Sequence, residues 1–124
     1  AALTANGKIY TGCNVENAAY PSGLCAERVA VFKAVSEGER ELVAVAVTGP
    51  TNNVISPCGA CRQVLNEFAP KEQPLIIICA SVRREFKVLS LLELLPYGFP
   101  TAEERDKLMQ DSLRAPVKKE KLAG

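Results

Sequence analysis

The sequence predicts an α/β domain in which one sheet is layered against helices, and four stretches carry that prediction. "ELVAVAVTG" and "PLIIICAS" are short, nearly continuous apolar runs, the pattern of strands covered on both faces. Between and before them lie two segments with helical spacing. "CAERVAVFKAVSEGE" places Ala26, Val29, Ala30, Phe32 and Val35 near a 3.6-residue period and ends near Gly38, while "CGACRQVLNEFA" does the same with Ala60, Val64, Leu65 and Phe68 and stops before Pro70.

The remaining elements follow in chain order. "KIYTGCNV" after the Asn6-Gly7 turn reads as the second strand of a hairpin. "NAAYPSGL" is loop-like, and "NNVISP" is a short strand or a loop edge. "REFKVLS" reads as a shorter strand, followed by a short helix in "SLLELLP" with Ser90 as N-cap. Beyond "PYGFP", residues 101–124 read as a C-terminal helix and a charged tail. Thr101 caps the helix, with Glu103 and Glu104 near its positive end. No internal repeat or low-complexity segment interrupts the chain, and 124 residues suit one domain with its own core.

Bulk composition narrows the function. Fifteen basic against fourteen acidic residues give a net charge of +1, which argues against a chain that grips a nucleic-acid polymer through its phosphates. No apolar run approaches the length of a membrane helix, and "AALTANGKIY" lacks the basic flank and apolar segment of a signal peptide. A cytoplasmic location without membrane partners is therefore expected. Five cysteines, Cys13, Cys25, Cys58, Cys61 and Cys79, favour free thiols or metal ligands over a disulfide framework. Histidine is absent altogether, so catalysis must run on carboxylates, thiols or a metal held by sulfur.

"SPCGACRQVL" holds a Cys-x-x-Cys, which alone is a redox couple, half of a metal site, or two incidental thiols. The metal reading needs a further ligand, and "LCAER" offers Cys25 in the same loop-to-helix context as Cys58. Two such junctions facing each other present three thiolates to the positive ends of two helices. Three ligands leave the fourth tetrahedral position of zinc open, the arrangement of a catalytic site. Glu27, two residues beyond Cys25, is placed to handle protons there without being a ligand.

"Cys25-Ala26-Glu27" followed by "Pro57-Cys58-Gly59-Ala60-Cys61" resembles the signature of the zinc nucleobase deaminases, with cysteine in place of histidine as the first ligand. With "GCNVENAAY", "CAERVAVFKAVSEGE" and "LLPYGF", the chain resembles the small, homotetrameric, three-cysteine class of cytidine deaminases from about Lys8 to Phe99. The resemblance implies a three-layer α-β-α sandwich with a mixed central sheet. It implies one Zn2+ per subunit held by Cys25, Cys58 and Cys61, and hydrolysis of cytidine and deoxycytidine to uridine and deoxyuridine with release of ammonia in pyrimidine salvage. Glu27 would move protons from the attacking water to N3 and to the leaving group. Asn14 and Glu16 would bind the ribose hydroxyls, the Ala26 backbone the pyrimidine carbonyl, and the Ser56 carbonyl would face the leaving amino group. Phe99 would stack on the base from a neighbouring subunit, so that active sites are shared.

Three thiolates make a zinc site net negative, and Arg28 is placed to offset that charge through the ligand sulfurs. Cys13 and Cys79 read as structural, and Arg62 and Gln63 as framework or interface residues without assigned chemistry. The family's N-terminal helix and a pocket-lining Phe have no counterpart before Ala1, and the expectation is that such a segment precedes this chain. Gly98 stands where the family often has alanine. Two other functions remain open: a blasticidin S-type aminonucleoside deaminase, and a zinc-stabilised binding module with no catalysis and a fourth protein ligand.

Overall fold

The Asn6-Gly7 turn sets the first two strands. In the computed structural model, which describes residues 1–114, Gly7 sits at φ 82°, a left-handed conformation that glycine adopts without strain. It joins β1 (Ala2–Thr4) to β2 (Ile9–Tyr10). After a short 3-10 turn at Tyr20–Ser22 come α1 (Ala26–Ser36), β3 (Leu42–Val47), α2 (Gly59–Glu67), β4 (Ile76–Ala80), β5 (Phe86–Ser90), α3 (Leu91–Leu94) and α4 (Ala102–Arg114).

The five strands form one sheet in the order β2-β1-β3-β4-β5. Only β3 and β4 run parallel, joined by the crossover that contains α2, and the other neighbours are antiparallel. The expected mixed α/β sheet is thus present. Its register decides which side chains become core. Ala2 pairs with Tyr10 and Val45, Val45 with Ile77, and Ile77 with Leu89, so this row shares one face. Ala2, Val45 and Ile77 cluster with Ala30 and Val31 of α1, Leu65 of α2 and Leu91 of α3, and Leu89 packs against them. A register shift between Leu3 and Thr4 leaves Val43 unpaired with β1 and turns Leu42 into the core beside Thr4.

Of the three layers expected, the described residues supply the sheet and the helical layer over this face. On the other face Ile9, Ile76, Phe86 and Val88 are 69%, 45%, 65% and 58% exposed. The reading of β3 and β4 as covered on both sides therefore does not hold among the described residues. A continuous apolar run reports that a strand is sticky on both faces, not that both are covered.

Helix α1 also differs from its sequence reading. Ala30, Val31 and Ala34 face the core, whereas Phe32 is half exposed. Apolar residues run around much of this helix, so spacing alone does not choose the face. Small alanines let the helix lie close to the sheet. "KIYTGCNV" keeps strand pairing only at Ile9–Tyr10 and then leaves the sheet, returning as a single antiparallel bridge between Val15 and Leu24. "NNVISP" is loop, not strand.

The caps appear where the sequence placed them. The Ser90 hydroxyl accepts from the Glu93 amide while the Glu93 carboxylate accepts from Ser90 N–H. Thr101 and Glu104 make the same reciprocal pair, at 3.2 and 2.7 Å. On α4, the Arg105 guanidinium donates to the carbonyls of Asn66, Glu67 and Ala69, closing the end of α2. The expected charged tail lies outside the described residues.

Because one face carries the core, replacements on the two faces should differ sharply. Leu65→Ala should lower unfolding free energy by about 2–5 kcal/mol, and Val88→Thr on the open face should change it by no more than about 0.5 kcal/mol. Chemical denaturation of both variants checks this.

Candidate active site

Two helix starts build the site. Cys25 is the residue before α1 and Cys58 the residue before α2, both in extended conformation, with φ, ψ of −69°, 152° and −67°, 168°. Their carbonyls close the first helical turns, accepting from Val29 and Arg62 N–H at 3.1 and 3.0 Å. That backbone arrangement sends both side chains off the helix ends, towards each other. Cys61, one turn into α2, is fully buried beneath them.

The sulfurs converge. Cys25 Sγ lies 3.7 Å from Cys58 Sγ, Cys58 Sγ lies 3.5 Å from Cys61 Sγ, and all three fall within 4.8 Å of one another. A tetrahedral zinc with bonds of about 2.3 Å sets its sulfurs about 3.8 Å apart. The donor set fits that ion in kind, spacing and number. Among the described residues this is also the one cluster of three potential ligands that could hold a metal.

The electrostatics differ from sulfur to sulfur. The Cys61 backbone N–H directed at Cys58, helped by hydrogen bonds from neighbouring thiols and the Ala60 amide, lowers the Cys58 thiol pKa despite some burial. Burial, followed by the adjoining Glu27 carboxylate, pushes the Cys61 thiol up. Arg28 Nη2 donates to Cys25 Sγ at 3.4 Å. Its bonds to the Cys25 and Cys61 sulfurs raise its own pKa. Arg28 thus sits against the thiol cluster, as its expected role requires, and its Nε is buried with no hydrogen-bond partner among the described residues.

Residues 1–77 match the family described as the cytidine and deoxycytidylate deaminase zinc-binding region. The chain belongs to this family. It is 44% identical over 99 residues to a cytidine deaminase of Sporosarcina psychrophila, covering 80% of this chain and 71% of that protein. It is 42% identical over 104 residues to that of Halalkalibacterium halodurans, covering 84% and 76%. The crystal structure of cytidine deaminase from Burkholderia pseudomallei superposes with a TM-score of 0.72 at 42% identity, over 79% of this chain and 77% of that one.

For a member of the deaminase family, the surroundings of the thiols are informative. A cavity of about 440 Å³ opens over them and is lined by Asn14, Ala26, Glu27, Ser56, Cys25 and Cys58, among others. Glu27 is 8% exposed, a carboxylate buried at the floor of a cavity and not on a solvated helix face. Asn14 Oδ1 accepts from the Ala26 N–H at 2.8 Å, so these two expected substrate contacts meet each other here. Ser56 is exposed, and its hydroxyl accepts from Arg62 Nη2 at 3.0 Å. Glu16 and Phe99 do not line this cavity. Both are exposed, and Phe99 projects from the loop after α3.

Cys79 is buried in β4, the structural position expected for it. Cys13, in contrast, is exposed and lies on the cavity wall outside any strand. A second cavity, about 380 Å³, lies between α3, α4 and the end of α2 and contains none of the thiols.

Sequence reasoning missed Gly12. A Cβ there would stand 2.3 Å from the Ala26 carbonyl oxygen and 2.7 Å from the Ala30 nitrogen. Only glycine lets the segment carrying Asn14 pass this close to the start of α1. The signal was available in "TGCN", a glycine interrupting a strand pattern, which marks close backbone approach.

The pKa directions predict an order of thiol reactivity in metal-free protein. A lowered pKa means more thiolate at a given pH, so exposed Cys58 should be alkylated by iodoacetamide faster than buried Cys61 at neutral pH. Prior loading with zinc should slow the Cys58 reaction. Peptide mapping by mass spectrometry checks both points.

Proposed function

We propose that this chain catalyses the hydrolytic deamination of cytidine and deoxycytidine to uridine and deoxyuridine, releasing ammonia, with one zinc ion held by Cys25, Cys58 and Cys61. The observation that supports it most is the convergence of three thiols from two helix starts beside the buried Glu27. When bound, zinc supplies Lewis-acid activation that brings the ionisation of water near neutral pH.

The chain's own residues do the rest. Glu27 accepts a proton from the attacking water and passes it to pyrimidine N3 as the water oxygen adds to C4. It then carries the second proton to the exocyclic nitrogen, which leaves as ammonia while the C4 carbonyl forms. Atoms balance as cytidine plus water giving uridine plus ammonia. The Ser56 carbonyl faces the departing nitrogen. Arg28 offsets the negative charge that three thiolates leave around a divalent ion.

A pyrimidine carbonyl reaching the Ala26 N–H takes over the bond now made by Asn14 Oδ1, freeing the Asn14 amide for a ribose hydroxyl. Glu16 joins it there. We read the whole chain as one deaminase domain working in the cytoplasm as a homotetramer. Phe99, 64% exposed, stacks on the base in a neighbouring subunit. No helix among the described residues is long and apolar enough to cross a membrane.

Glu27→Gln tests the proton-transfer role. It should retain zinc, measured by atomic absorption, while cytidine turnover followed by ultraviolet absorbance falls by a factor of at least about 100. Turnover within a few-fold of the unaltered protein would exclude Glu27 as the proton carrier. Blasticidin S as a second substrate separates the nucleoside reading from its nearest rival.

A further inference from the structure

Arg62 follows the third thiol directly, yet its side chain points back along the chain. Nε donates to the Pro57 carbonyl at 2.7 Å, Nη2 to the Ser56 hydroxyl at 3.0 Å, and Nη1 to the Leu94 carbonyl at 2.9 Å. One planar fork therefore binds the two residues before Cys58 and, 32 positions along the chain, the end of α3. Pro57 is fully buried, so its carbonyl has no ready replacement partner in water. The Arg62 backbone is fixed as well, its N–H donating to the Cys58 carbonyl at 3.0 Å.

Two further side chains of α2 tie the same downstream segment. Gln63 Nε2 donates to the Phe99 carbonyl at 2.6 Å, and Asn66 Nδ2 to the Pro100 carbonyl at 2.9 Å. The segment from Leu94 to Pro100 is thereby strapped to the helix that carries Cys61. Of these three residues, only Arg62 also reaches the turn that presents Cys58.

We infer that Arg62 is a positioning residue that fixes the Ser56–Pro57–Cys58 turn against the end of α3, so that the Cys58 sulfur is delivered to Cys25 and Cys61. This rests on the metal-binding part of the proposed function and assigns Arg62 no contact with substrate. The role is geometric as well as electrostatic. A lysine keeps the charge but has no rigid fork with which to satisfy three acceptors at once. Substitutions in the shell that orients metal ligands weaken metal affinity by about 10–100-fold.

The test uses the full chain loaded with zinc or with cobalt, and the variants Arg62→Lys, Arg62→Met, Ser56→Ala and Arg62→Lys/Ser56→Ala. Zinc affinity is read by competition with a chromophoric chelator, and ligand geometry by the cobalt absorption bands. Both Arg62 variants should bind zinc about tenfold more weakly, with shifted cobalt bands. Ser56→Ala should give a smaller loss that does not add to that of Arg62→Lys, because both act on one turn. Should Arg62→Met not fold, the lysine and alanine variants carry the same comparison. Zinc affinity and cobalt bands of Arg62→Lys equal to the unaltered protein would overturn the inference, as would full additivity with Ser56→Ala. These readings need no substrate, so a chain that holds zinc normally but turns over no cytidine contradicts the proposed function alone.

Discussion

Bringing the sulfurs of Cys25, Cys58 and Cys61 within 4.8 Å of one another fixes how α1 and α2 must sit on the sheet. Both helices have to begin at the same end of the domain, with their first turns facing. The parallel pair β3 and β4 meets that requirement, because the crossover between them carries α2 back over the face on which α1 already lies. The first turns of the two helices then face the sulfurs, and the Cys61 and Ala60 amides of α2 lower the Cys58 thiol pKa. Fold and chemistry share one constraint here. The same core that buries Leu65 and Val31 seals Cys61 at the bottom of the cluster.

The cavity wall depends on the same convergence. Gly12 passes against the first turn of α1, and the Val15–Leu24 bridge ties its segment to the residue before Cys25. Asn14 is held over the thiols as a result, with its carbonyl oxygen on the first amide of α1. On the opposite side, Arg62 ties the Cys58 turn to α3. Each approach to the metal site is braced by hydrogen bonds, from the Asn14 side chain and the Val15–Leu24 bridge on one side and from the Arg62 guanidinium on the other, an arrangement suited to holding reacting groups in a fixed geometry.

Much of this was legible in the sequence because the chemistry is local. Cys-Ala-Glu and Pro-Cys-Gly-Ala-Cys each lie at a helix start that apolar spacing reveals, and the absence of histidine favours sulfur as the metal donor. Ser90 and Thr101 showed their helix ends because a capping box spans only four residues. What could not be read was which face an element presents. Phe32 belongs to a helix whose apolar residues run around much of its surface, and Ile76 belongs to a run that looks buried yet faces solvent. The role of Arg62 was hidden for another reason. It arises from contacts with Pro57 and Leu94 that exist only once the chain has folded, whereas Gly12 left a trace as the glycine that interrupts the strand pattern in "TGCN".

On the proposed function, three thiolates and no fourth protein ligand would hold one zinc ion and leave a position for water. X-ray absorption at the zinc edge of the loaded full chain tests it most directly. One zinc per chain should show three sulfur scatterers at about 2.3 Å and one lighter donor at about 2.0 Å. Four sulfurs, with Cys13 or Cys79 closing the site, would contradict the account, and so would a folded chain that binds no stoichiometric zinc.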